Sequence, residues 1–267
     1  MADLPVSSSV ADRESAASVA AFLTSPFEAA GRSARLWLAL LRRLPFVARD
    51  RRLLVAQILR AGVTSLPLIV VASLFIGGVT AVQARYQFHG LIPDGYLGTA
   101  VAKFVIIESG PVLTALLLAG RVGAAIAAEV AAMKEKEELD AMTALGLDPL
   151  RYLALPRVLS GIVATPLLVV VACLFALVGA WLMARTGFGI TTESFVRGAR
   201  FLFNGYDVFA ALVKAVCFGG ALAFAGLHAG LRAEPGARGA GRAAMRAVVS
   251  GCVWILVLDF AIVFTLY

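Results

Sequence analysis

An all-α protein that threads a membrane several times is the fold class this sequence predicts, and three observations predict it. Hydrophobic residues make up 60% of the 267 and charged residues only 15%, far from the balance of a soluble domain. Mean hydropathy is +0.88. Segments 61–84 and 158–184 run 24 and 27 residues without a charge, and each exceeds the roughly 20 residues a helix needs to cross a bilayer. Three more apolar segments are interrupted by isolated charges. Segment 97–128 carries Lys103, Glu108 and Arg121, segment 208–231 carries Lys214, and segment 247–267 carries Asp259. Five spans follow.

Taken in chain order, residues 1–18 are polar and mixed in charge, which predicts a disordered tail rather than a secretory signal. From 19 to 47, Phe22, Phe27, Leu36, Leu40 and Leu44 alternate with Arg32, Arg35, Arg42 and Arg43. That pattern fits a helix lying in the headgroup layer, apolar face to the acyl chains and arginines to water, or a soluble surface helix. Pro67, Pro111 and Pro166 fall one in each of the first three spans, where each removes a backbone donor and predicts a kink. The second span carries two small-residue ladders at four-residue spacing. One is Ala115, Ala119, Gly123, Ala127 and Ala131; the other is Gly120, Ala124 and Ala128. They predict close helix packing on several sides. Residues 185–207 are too polar to span and predict a short surface helix or loop.

Charge fixes the expected orientation. Nine arginines precede the first span, five basic residues lie from Arg121 to Arg157, and four from Arg232 to Arg246. The alternate connections are poorer in basic residues. The N-terminus and the central loop are therefore expected in the cytoplasm, and the C-terminus on the far side. The basic residues flank apolar spans and form no aromatic-interleaved patch, so nucleic acid is not an expected partner. Cys173, Cys217 and Cys252 sit in different spans without CxxC spacing, and His89 and His228 are isolated, so no metal site is expected. No nucleophile–base constellation is present either, and the chain is not expected to be an enzyme.

Inside the spans, Glu108 must face protein or water because an ionised group at mid-bilayer costs roughly 2.5–3.5 kcal/mol. Its helix face continues through Val112, Ala115 and Ala119. It either meets a substrate in a cavity or bonds a neighbouring helix. Lys214 and Asp259 are candidates for buried pairing or for interfacial positions.

The most conspicuous segment is Lys134–Asp140, with six charges in seven residues. Residues 129–145 predict a helix leaving the membrane, with Lys134–Glu138 and Lys136–Asp140 paired four apart. Gly146 ends it and Asp148-Pro149 turns the chain. Such a helix is either a solvated loop helix or a docking element. Asp140, Ala141 and Met142, three residues before Gly146, loosely resemble the cytoplasmic loop by which ABC importer permeases meet their ATPase.

The block Glu108–Leu159, ESGPVLTALLLAGRVGAAIAAEVAAMKEKEELDAMTALGLDPLRYLALPRVL, resembles the MlaE (YrbE) permease family, membrane subunits of ABC transporters that work with MCE-domain proteins on lipids. So do FIGGVTAVQ at Phe75–Gln83, KAVCFG at Lys214–Gly219, and GRAAMRAVV with LDF between Gly241 and Phe260. The resemblance runs from about Arg35 to the C-terminus. It implies a single permease domain over 19–267, with a surface helix, five spans, a cytoplasmic coupling helix at 129–145, and a homodimer in a bacterial inner membrane. It implies a lipid cavity lined by Phe75, Val79, Val82, Glu108 and Val112, facing a periplasmic MCE protein. It assigns Glu129, Lys134, Glu137, Glu138, Asp140, Gly146 and Asp148 to the contact with a cytoplasmic ATPase, and leaves room for a small accessory subunit. The cargo would be phospholipid or a related hydrophobic lipid. No GK[ST] occurs in the sequence, so no P-loop can form here, and ATP with Mg would be bound by the partner. One departure is Ile107, where some family members carry arginine before the glutamate; Arg85 is a candidate to supply that charge. The alternative is a secondary transporter or channel using Glu108, Lys214 and Asp259.

Overall fold

The computed structural model describes residues 31, 34–48, 50–88, 96–201 and 203–266. The expected tail and residues 19–30 of the expected surface helix lie outside them. Residues 34–41 form helix α1, in a unit that ends at Phe46 and is described by itself. It exposes Leu38 and Leu41 alongside Arg42, as a helix in a headgroup layer would.

The second unit, from Val47 onward, is built from helices alone among the described residues. Five are long and apolar enough to cross a membrane: α2 (Arg51–Gln87), α3 (Leu97–Glu135), α5 (Leu150–Phe188), α7 (Gly205–Leu231) and α8 (Ala237–Leu266). Two short helices join them, α4 (Glu138–Ala144) and the surface helix α6 (Thr192–Phe201). Most of the long helices extend beyond the uncharged segments that predicted them. Several of the extra turns carry charges held by neighbours, as at Arg60, Glu129, Lys134 and Arg157, which apolar run length does not register.

Close backbone approach sets the packing. A methyl group added at Gly77 of α2 would overlap the Ala176 carbonyl of α5, and one at Gly179 of α5 would overlap the Leu74 carbonyl of α2. Gly161 of α5 and Gly219 of α7 stand in the same mutual relation. Without a hydrophobic force between helices in lipid, such backbone contact supplies the dispersion attraction that binds them. Of the two ladders on α3, only Ala115, Ala119, Gly123, Ala127 and Ala131 are all buried. Gly120 of the other ladder is exposed and Ala124 and Ala128 are half-buried, so α3 is packed on one face more than the other.

The prolines act differently. In α2 the helix breaks at Thr64–Ser65, where Pro67 has no N–H to offer the Val63 carbonyl. The Thr64 and Ser65 hydroxyls donate back to the Arg60 and Ala61 carbonyls. In α3, Pro111 follows a π-helical turn at Val105–Ser109, and a second such turn lies at Ala119–Gly123. Pro166 sits inside α5 without interrupting it.

Gly219→Leu is expected to force α5 and α7 apart and to destabilise the bundle by about 1–3 kcal/mol or more. A thermal unfolding scan in detergent checks this, and an unchanged midpoint would refute the contact.

Candidate functional site

Lys214, on α7, is fully buried. Its Nζ lies 2.6 Å from Glu108 Oε2 on α3 and 2.7 Å from Asp259 Oδ1 on α8. It also donates to the Ile107 carbonyl at 3.1 Å. Two of these acceptors, the Glu108 carboxylate and the Ile107 carbonyl, take hydrogen bonds from the ammonium, and Asp259 adds an ion-pair contact. The Ile107 carbonyl is the one that residue 111 would ordinarily satisfy, and residue 111 is proline. Lys214 replaces the missing donor, and the widened turn at Val105–Ser109 relieves the ring's clash with that carbonyl. Lys214 is completely enclosed, whereas 38% of the Glu108 side chain remains open. The centre therefore presents a carboxylate, not a cation, at its accessible edge.

The other residues expected to line a cavity fall as follows. Phe75, Val79 and Val82 lie on one outward face of α2, 67%, 55% and 42% exposed. Val112 is half-buried on α3, one turn from Glu108. Where α2, α3 and α5 meet there is a small recess, about 10 Å³, lined by Ser73, Ile76, Ser109, Gly110, Leu113 and Ala172 among others. The five residues thus make an open apolar face and a polar centre, not an enclosed chamber within one chain. Arg85 is engaged elsewhere, its guanidinium 5.6 Å from the centre of the Phe188 ring.

Two further ion clusters mark the ends of the spans, and sequence spacing did not reveal either. At one end, Lys103 Nζ of α3 meets Asp207 Oδ2 of α7 at 2.7 Å, beside α6, whose Gly198 carbonyl accepts from Thr99. At the other, Glu129 bridges Arg60 of α2 at 2.6 Å and Arg157 of α5 at 3.2 Å. Nearby, Arg151 Nε lies 2.9 Å from Asp50 Oδ2. On α3, Lys103 and Glu129 stand about 39 Å apart along the axis, which matches a 30 Å hydrocarbon layer with its borders.

The segment expected to be one helix over 129–145 is two. Helix α3 runs on to Glu135, then Glu137 turns the chain with φ 57°, and α4 begins at Glu138. The break removes the four-residue spacing on which the expected pairs rested. Lys134 instead donates to the Leu231 and Ala233 carbonyls, at 3.0 and 2.9 Å, tying the end of α3 to the α7–α8 connection. Lys136 lies 3.9 Å from Glu138. None of the α4 residues is buried, while the Glu129 carboxylate is committed to its two arginines. Gly146, at φ 75°, closes α4: its N–H bonds the Thr143 carbonyl and the Leu147 N–H bonds Met142. Asp148 accepts from the Leu150 N–H at 3.0 Å and starts α5.

Among the described residues no group of His, Cys, Asp and Glu is placed to hold a metal.

Lys214→Met would leave the enclosed Asp259 carboxylate, with the partly open Glu108 beside it, without a cation, at a cost of up to about 3–5 kcal/mol. Combined with Glu108→Gln and Asp259→Asn, the same change is expected to recover most of that loss. Thermal unfolding of both variants decides it, since equal loss in both would mean the charges do not bind one another.

Comparison with known proteins places this geometry in a family. Residues 54–265 match the family model described as Permease MlaE. The chain is 34% identical over 210 residues to a probable ABC transporter permease protein of Rickettsia felis, covering 79% of this chain and 81% of that one. It is 34% identical over 238 residues to the intermembrane phospholipid transport system permease protein MlaE of Haemophilus influenzae, covering 88% and 90%. It is 30% identical over 206 residues to the chloroplastic protein TRIGALACTOSYLDIACYLGLYCEROL 1 of Arabidopsis thaliana, covering 77% and 59%.

Proposed function

We propose that this chain, which belongs to the MlaE permease family, is the membrane subunit of an ATP-driven lipid transporter. It moves phospholipid or a related hydrophobic lipid between a bacterial inner membrane and a periplasmic MCE-domain protein. Two copies face each other, and a separate cytoplasmic ATPase supplies ATP and Mg. The N-terminus and α4 lie on the cytoplasmic side and the C-terminus on the periplasmic side.

The observation that carries the reading is α4. A seven-residue helix with no buried residue cannot be maintained by propensity alone, because isolated helices this short are marginal in water. It is held by what flanks it: the Lys134 tie before it and the Gly146 closure after it. A rigidly presented, unburied helix with Glu138 and Asp140 in its first turn suits a basic groove on a partner. Glu137, Glu138 and Asp140 make that contact, whereas Glu129, Lys134, Gly146 and Asp148 position it.

On the transport side, the open edge of Glu108 and the apolar face of Phe75, Val79 and Val82 supply polar and apolar surface for a lipid, completed across the two copies. The ion-pathway alternative is less well supported. Its three charges converge on one point instead of being spaced along the membrane as a relay requires.

The test is native mass spectrometry of the tagged chain taken gently from its own membrane. Two copies with an ATPase and a bound lipid are expected. A solitary chain, in a preparation that keeps other complexes intact, would sink the reading. Reversing Glu137, Glu138 and Asp140 to lysine together is expected to abolish ATPase co-purification while moving stability by no more than about 0.5 kcal/mol per exposed site. Retained assembly would remove α4 from the contact.

A further inference from the structure

Five charged residues lie between the levels of Lys103 and Glu129: Glu108, Lys214, Asp259, Arg121 and, on α8 between the Ala243 and Gly251 contacts with α3, Arg246. The first three close on one another. Arg121 does not. It is exposed on α3 and has no hydrogen bond, ion pair or ring contact among the described residues. The two acids within the layer both lie against Lys214, so the exposed guanidiniums of Arg121 and of Arg246 on α8 call for a counter-ion from outside the chain.

Local structure makes room for one. Gly120, beside it, is also exposed, and a methyl group added there would meet nothing within 4 Å. Both residues fall in the π-helical turn Ala119–Gly123, as Glu108 falls in the other such turn of α3. Widened turns of this kind gather at functional positions. The opposite face of the same turn is fixed: Ala119 and Gly123 are buried.

Depth and charge select the occupant. Arg121 is about 12 Å along the axis from Glu129. With a 30 Å hydrocarbon layer centred between the two ion clusters, it sits about 8 Å inside the nearer edge, close enough for a long side chain to reach the headgroups. A second copy of the chain offers no free carboxylate at this depth. Its acids within the layer, Glu108 and Asp259, lie against Lys214 nearer the opposite border, about 20 Å along the axis from Arg121. A phospholipid of that leaflet brings a phosphate, which the arginine fork binds bidentately.

We infer that Arg121 and Gly120 form a binding site for the phosphate of a phospholipid on the outer face of α3, in the leaflet next to Glu129 and distinct from the Glu108 centre. The site requires only that the chain spans a bilayer. It does not depend on the transport reading and can fail or stand independently of it.

The experiment places a photo-crosslinking residue at Gly120 in the full chain. The purified protein, in a phosphate-free maltoside detergent, is offered dioleoyl-phosphatidylglycerol or dioleoylglycerol. The two probes share acyl chains and differ in the phosphate headgroup. Labelling by the phosphatidylglycerol is expected to exceed that by the diacylglycerol about tenfold or more. Arg121→Leu abolishes the preference and Arg121→Lys keeps part of it. Equal labelling by the two lipids with Arg121 intact overturns the site, and needs no variant at 121 to fold. Loss of self-association in Arg121→Leu with the lipid preference unchanged also overturns it, in favour of a contact between copies.

Discussion

The buried ammonium of Lys214 is the constraint on which the rest of the bundle depends. It joins three helices through one atom, and it does so where a proline has left a carbonyl without its donor. Removing a charge from water is expensive, so such a group persists only when its partners are complete. Here two partners accept hydrogen bonds and a third makes an ion pair, and each comes from a different constraint: Pro111 frees a carbonyl, α3 supplies one acid and α8 the other. The angular position of α7 about its own axis is thereby fixed. The glycine contact of α7 with α5 is fixed with it, because Gly219 lies five residues further along the same helix.

The two ends of the bundle are governed by different chemistry. One end is sealed by Lys103–Asp207 and by α6 folded against the start of α3. The other gathers α2, α3 and α5 on Glu129 and hooks α3 to the α7–α8 connection through Lys134. Helix α8 is tied there by charge only to the connection that precedes it, through Arg242 and Glu234. Helix α8 is held mainly through small-residue contacts and through Asp259, and it leaves Val253, Trp254, Val257, Phe260 and Phe264 uncovered. In a bilayer those residues face acyl chains or another apolar helix, and neither exacts the penalty that water would.

The five spans were legible in the sequence because each leaves an uncharged or nearly uncharged run of the required length. Their true ends were not, since the flanking turns are stabilised by ion pairs between residues 28 to 104 positions apart. Lys214 and Asp259 stood out as charges in apolar segments, yet nothing local disclosed that both meet Glu108. Sequence shows that a buried charge needs a partner but not which one. The break at Glu137 was hidden for a different reason. The run Lys134–Glu138 consists of good helix formers, and tertiary ties at Lys134 override their preference. The second small-residue ladder misled similarly: Gly120 satisfies the spacing but faces outward, beside an arginine that no close-packed interface would accept.

The turn at Glu137 has a mechanical consequence. A residue with a side chain held in the left-handed region costs roughly 1–2 kcal/mol more than in the right-handed one, and glycine would avoid that cost. Glutamate there makes the joint a stiff elbow in place of a swivel. Displacement applied to α4 is then passed to the root of α3 and, through Lys134, to the end of α7, with little lost as play in the linkage. Helix α7 carries Lys214 four to five turns from Leu231, so the elbow is linked to the buried ammonium through the Lys134 tie and the body of that helix.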